Sequence, residues 1–250
     1  MDALATLALM IEWGADEALD DAPIDRTRAH PPAATPQQAA AAARAPATVA
    51  PRPTPATNAQ ALAAAATTQA ELRAALASFT ECPLAVTATN LVFADGNPEA
   101  GLVLVGEAPG AEEDLAGTPF VGASGKFLDR MLASIGLNRT HLLITNLIPW
   151  RPPGNRAPTD SEVLMCLPFL RRHLQLLRPH TVVTLGALAT HALTGTDTGI
   201  RKLRGKWRTL DLGDGQTPRL LPMLHPAYLL RTPGAKRETW QDLLSLKQSL

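Results

Sequence analysis

From about residue 71 onward, short apolar runs alternate with longer stretches of helical period. The runs Leu102–Gly106, Leu142–Thr145, Thr181–Leu185 and Leu220–Leu224 read as strands. Between and after them, Ala123–Ile135, Asp160–Leu177, Ala187–Leu193 and Ala235–Leu246 read as helices. Asp160 opens its helix two residues after Pro158, and Glu162 follows in the first turn, where acids suit the helix dipole. Strands separated by helices predict an α/β fold, a parallel sheet with helices on both faces.

The chain before residue 71 has a different pattern. Leu4, Leu7, Ala8 and Ile11 fall on one helical face, and Trp13 ends the run before Gly14, so residues 1–30 hold a short amphipathic helix. That helix either docks on the main domain or binds a partner or a membrane surface. Residues 31–70 contain 18 Ala and 7 Pro, with almost no large apolar side chains, and are read as a flexible linker. The later run Ala61–Ala66 begins a helix that continues through Leu72 and Leu76. Residues 71–250 form the folded domain.

Net charge is zero over the 250 residues, but residues 1–70 take 4 basic and 7 acidic side chains, leaving a slight positive excess for 71–250. That is a weak sign of a polyanionic partner. A sharper one is Arg201-Lys202-Leu203-Arg204-Gly205-Lys206-Trp207-Arg208, five cations around a tryptophan. This segment is either a solvated turn before the last strand or a DNA contact. The two cysteines, Cys82 and Cys166, exclude a disulfide framework and cannot alone make a four-thiolate site. With no signal segment and no apolar run approaching 18 residues, the chain is expected in a reducing cytoplasm with no membrane partner.

Strand ends of a parallel sheet share one edge, so the loops that follow them converge. The loop after Leu102–Val105 is acid-rich and punctuated by Gly and Pro: Gly106-Glu107-Ala108-Pro109-Gly110, then Glu113, Asp114 and Phe120. The second runs from Asn146 through Arg151, Asn155 and Arg156. The third is His225-Pro226-Ala227-Tyr228-Leu229-Leu230-Arg231. Asn146 offers an acceptor and a donor pair to a heterocycle edge, and Phe120 can stack on its ring. His225 can hydrogen-bond an oxygen that gains negative charge, while the arginines suit phosphates. A planar base, an anionic leaving group and a phosphodiester together describe a nucleotide pulled out of the DNA stack. The Gly122–Phe127 segment is not a phosphate loop, because Phe120 and Phe127 stand where a Gly and a Ser/Thr are needed.

These residues also resemble a known family. Gly106-Glu107-Ala108-Pro109-Gly110 with Glu113-Asp114, Pro119-Phe120-Val121-Gly122, Thr145-Asn146, Arg151-Pro152-Pro153 with Asn155-Arg156, and His225-Pro226 with Tyr228 to Arg231 are similar, in order, to the family 4 uracil-DNA glycosylases. The resemblance implies a four-stranded parallel sheet in a three-layer fold and a monofunctional hydrolase. Such an enzyme releases uracil from DNA, single- or double-stranded, leaves an abasic site and initiates base excision repair. Phe120 would stack on the flipped uracil, Asn146 would read its O4/N3 edge, and His225 would stabilise the departing anion through O2. Gly106, Ala108, Pro109, Gly110 and Asp114 would border the base. Arg151, Asn155, Arg156, Tyr228, Leu229, Leu230 and Arg231 would hold the DNA.

Three questions stay open. Glu107 or Glu113 positions the attacking water, or the DNA phosphates supply the field, since Ala108 stands where the best-known uracil glycosylases place an aspartate. A non-catalytic uracil- or DNA-binding module of the same fold is the alternative function, with activity on hypoxanthine or mismatched uracil more distant. The family's usual iron–sulfur cluster takes four cysteines. Cys82 and Cys166 match two places while Phe79 and Trp150 occupy the others, so no cluster and no metal are expected. The protein is further expected to be a monomer at the nucleoid of a bacterium, its N-terminal helix open to an unknown protein partner.

Overall fold

The computed structural model describes residues 54–250. The helix expected over 3–13, and the linker up to residue 53, lie outside the described residues. In chain order the elements are α1 (Pro55–Ala65), α2 (Gln69–Ser78), α3 (Pro83–Thr87), β1 (Ala94–Gly96), β2 (Leu102–Gly106), α4 (Ala111–Ala116) and α5 (Ala123–Ala133). They continue with β3 (Leu143–Asn146), α6 (Asp160–Leu177), β4 (Thr181–Leu185), α7 (Ala187–Thr194) and α8 (Ile200–Leu203). The last are β5 (Arg208–Thr209), β6 (Arg219–Met223), α9 (Pro226–Arg231) and α10 (Lys236–Lys247).

Among the described residues the sheet has six strands in the order β1-β3-β2-β4-β6-β5. The four inner strands are parallel, as expected; β1 and β5 are short antiparallel edges that the pattern did not announce. Two or three residues are too few to show a period. Alternate residues of β2 serve opposite layers. Val103 and Val105 pack with α1, α2 and α6, whereas Leu102 and Leu104 pack with α5 and α10. Burial on both faces explains why these strands read as unbroken apolar runs.

The span 31–70 needs a correction at its end. Residues from Pro55 onward are helical, with Thr54 capping and Pro55 at the first helical position. Ala59 and Ala63, four residues apart, are buried against the core, and Arg172 Nε donates to the Ala66 carbonyl at 2.8 Å. Alanines bury little surface each, but their small size lets α1 lie close to α6. The helix expected to run from Ala61 through Leu76 is two helices, broken at Ala66–Thr68, because Thr68 caps α2 by accepting from Glu71 N–H. In contrast, α6 spans its expected residues. Thr159 and Glu162 form a reciprocal capping box at its start.

The chain leaves β2 for β3 on one side and returns to β4 on the other, so the sheet's switch point lies at the carboxyl end of β2. That is where open α/β sheets bind ligands.

Candidate active site

The carboxyl ends of β2, β3 and β6 enclose a cleft of about 320 Å³. It is lined by Glu107, Ala108, Pro109, Gly110, Glu113, Phe120, Asn146, Asn155, Arg156, His225 and Arg231, and also by Ser124, Pro152 and Ala227. The three loops therefore meet. A larger groove of about 580 Å³, between α1 and α6, gathers no carboxylate or imidazole.

The floor is built by close approach. Gly106 pairs with Asn146 across the two strand ends. A Cβ at Gly106 would overlap Asn146 Oδ1 and come within 2.6 Å of Phe120 Cζ, so only glycine lets the amide and the ring meet over β2. Phe120 lies 5.7 Å from the His225 ring, centroid to centroid, and is buried. Gly186, at the end of β4, lets the imidazole fold over the sheet edge; its Cβ would sit 3.3 Å from that of His225.

Three polar groups of this cleft are left without protein partners or held ready to donate. Asn146 is 5 % exposed, and its buried Oδ1 has no hydrogen bond among the described residues. A buried acceptor in that state costs free energy unless a ligand donor completes it. His225 Nδ1 accepts the Ala227 N–H at 3.1 Å, which places the ring proton on Nε2. Burial, then the nearby Arg231, push this imidazole down to about 4, with Glu113 acting in the opposite sense. It is therefore a neutral donor at pH 7. Glu107 is half-buried, and burial raises its carboxyl above the ordinary glutamate value. Its backbone carbonyl accepts from Ile148 N–H, while its carboxylate makes no hydrogen bond among the described residues.

Glu113 is different. One carboxylate oxygen accepts the Gly110 N–H at 3.1 Å and the other the Gly122 N–H at 2.8 Å. It ties the two halves of the acid-rich loop together, with both carboxylate oxygens engaged at the cleft wall. Asp114 does not reach the cleft: Oδ1 accepts from Thr89 and Asn90 N–H groups at 2.9 and 3.1 Å. The expectation that it borders the base is corrected accordingly.

Among the residues expected on DNA, Asn155, Arg156 and Arg231 line the cleft, Arg156 held bidentate by Glu162 at 2.6 and 2.9 Å. That guanidinium pulls the Glu162 carboxyl down to about 2. Arg151 Nε donates to Asn155 Oδ1 at 2.7 Å, stiffening the loop. In α9, Leu230 is 41 % exposed, whereas Leu229 is 1 % exposed and packs in the core. Leu229 is thus no DNA contact, and its helical period gave the sign, one turn after Pro226. Tyr228 Oη accepts from Arg201 at 3.2 Å and lies outside the cleft lining. Ser124, Gly186 and Arg139, which holds the Phe120 loop, belonged to no motif and were missed.

Cys82 and Cys166 are both buried and form no disulfide, and their thiols hydrogen-bond each other. Phe79 and Trp150 are buried with them in one core layer, Phe79 in ring contact with Phe169 at 5.3 Å. Two thiols and two aromatic side chains do not fit a cluster that takes four thiolates. Among the described residues no three His, Cys, Asp or Glu side chains group as a metal site. No helix among them is long and apolar enough to cross a membrane.

A family model described as the uracil DNA glycosylase superfamily matches residues 93–244. The type-4 uracil-DNA glycosylase of Archaeoglobus fulgidus is 42% identical over 166 residues, covering 65% of this chain and 83% of that protein. That of Saccharolobus solfataricus is 38% identical over 175 residues, covering 68% and 81%. That of Thermotoga maritima is 40% identical over 153 residues, covering 61% and 78%.

Proposed function

Because the chain belongs to the uracil DNA glycosylase superfamily, we propose that its cleft performs the reaction its type-4 relatives are named for. It hydrolyses the N-glycosidic bond of deoxyuridine in DNA, releases uracil and leaves an abasic site for base excision repair. The single observation that carries this reading is the buried Oδ1 of Asn146, without a partner among the described residues, in one cleft with Phe120 and His225.

The flipped uracil lies on Phe120 with its O4/N3 edge toward Asn146. The amide accepts from N3–H and donates to O4; cytosine offers the reverse pattern and leaves both groups unpaired. As the C1′–N1 bond breaks, its electron pair moves onto the base and spreads to O2. The neutral His225 donates Nε2–H to that oxygen, stabilising the anion without first giving up a proton. Glu107, unpaired and made more basic by burial, takes a proton from the water that attacks C1′. Glu113 keeps the wall in place. No lysine lines the cleft, which fits hydrolysis without a strand cut.

Arg231 and Arg156 neutralise phosphates at the rim, and Leu230, the exposed apolar side chain of α9, fills the vacated place in the stack. The buried aromatics at the thiol corner support an enzyme without an iron–sulfur cluster. Iron and acid-labile sulfide should be absent from cleanly purified protein, and stoichiometric amounts of both would refute that statement.

The activity is tested by incubating the protein with an oligonucleotide holding one uracil. Free uracil should appear, with the strand intact until alkali breaks it at that position. Retention of the oligonucleotide without release of uracil would leave a binding module instead.

A further inference from the structure

Phe120 has a positive φ of 56°, a conformation that bulky side chains seldom adopt. The surroundings enforce it. Arg139, in the turn before β3, donates Nη1 to the Pro119 carbonyl at 3.1 Å and Nη2 to the Phe120 carbonyl. The same guanidinium is anchored by two carboxylates, Asp95 Oδ2 at 2.6 Å and Asp129 Oδ1 at 3.1 Å. Asp95 stands on edge strand β1 and Asp129 on α5, so elements far apart in the sequence converge on one backbone turn. From the other side, a Cβ at Gly125 would overlap the Phe120 carbonyl, so α5 meets that carbonyl directly.

We propose that Arg139, anchored by Asp95 and Asp129, is a positioning residue for uracil recognition: it holds Phe120 in its strained turn so that the ring forms the stacking surface. This rests on the reading of Phe120 as the base platform. A backbone in the left-handed region relaxes when its restraints are lost, and the ring then swings off the Gly106 floor. Arg139 lies behind the loop, outside the cleft lining, so it acts on the base only through Phe120.

The test measures inhibition by free uracil, single-turnover excision, and binding of uracil-free duplex in folded protein. Arg139→Met should weaken uracil inhibition about tenfold and slow excision by a similar factor, with duplex binding unchanged. Arg139→Lys, which keeps the charge but cannot span two carbonyls and two carboxylates, should recover only part of the loss. Asp95→Asn, which loosens one anchor of Arg139 and leaves the loop itself unchanged, should give a weaker form of the same signature, and it carries the test if Arg139→Met fails to fold. In a Phe120→Ala background, Arg139→Met should cause no further loss of uracil inhibition. Unchanged uracil inhibition in folded Arg139 variants, or an equal loss in both backgrounds, would overturn the proposal. If Phe120→Ala alone left uracil inhibition intact, the platform reading would fall first and the proposal with it.

Discussion

The cleft and the basic segment Arg201–Arg208 both stand out as chemistry in the sequence, but the fold treats them in opposite ways. In the cleft, Asn146 Oδ1 and the Glu107 carboxylate have no partner among the described residues, and His225 is fixed as a donor by a bond on its far nitrogen. In the basic segment, Arg204 is clamped to Asp242 and to the Glu238 carbonyl, and Arg201 reaches Glu238 and Tyr228. Trp207 turns inward, donating Nε1–H to Ser245 under a lid formed by Arg219, 4.1 Å from its ring. In the basic segment, then, the partnered side chains Arg204 and Trp207 tie that segment to the last helix. In the cleft, the buried acceptor of Asn146 is left for a ligand to complete.

The contrast is most sharply tested at His225. Replacing it by Ala should lower single-turnover excision about 10³-fold, the cost of losing a preorganised donor to a developing anion. Duplex affinity should hold, since the phosphates are gripped elsewhere. In the basic segment the matching change is Arg204→Ala. It strands the buried Asp242 carboxylate and should cost about 3 kcal/mol of stability in a denaturant titration, with excision normal in the folded fraction.

Glu107→Gln comes next, with a loss of about 10²-fold. The base must be ionised to act, and burial raises its pKa above the ordinary glutamate value. Excision by the wild type should therefore fall as pH drops through a point above the ordinary glutamate value. The variant should show a low rate with no such limb. An identical acid limb in the variant would move the base elsewhere.

The smallest effect is expected from the exposed cations Lys202, Lys206 and Arg208. Arg208 pairs with Leu220 near the amino end of β6, at the edge of the sheet opposite the cleft. Neutralising all three should barely alter the salt dependence of DNA binding. A slope shallower by about 2.7, or about 0.9 for each cation, would place the segment on the DNA after all.

Several features were legible because local chemistry and tertiary need agree. β2 and α6 occupy their expected residues, one by an unbroken apolar run and the other by its capping box. The convergence of Glu107, Asn146 and His225 followed from the rule for strand ends, and the structure brings them to one cleft. Other features depended on partners that a linear reading cannot see. Asp114 and Glu113 look alike as loop acids, yet one holds residues 89–90 and the other staples two glycine amides. Helix α1 was hidden in an alanine-rich stretch, since its burial comes from close approach to α6 and not from large side chains. Arg139 was one arginine among many until the fold set two carboxylates and two carbonyls around it.

The most direct test of the reading of the cleft is the ¹⁵N spectrum of His225, recorded with and without free uracil. A neutral ring protonated on Nε2 should persist well below pH 7, charging only as the pH nears about 4. Uracil should shift the Nε2–H signal, because that proton then points at O2. An imidazolium at pH 7, or a neutral ring carrying its proton on Nδ1, would contradict the reading.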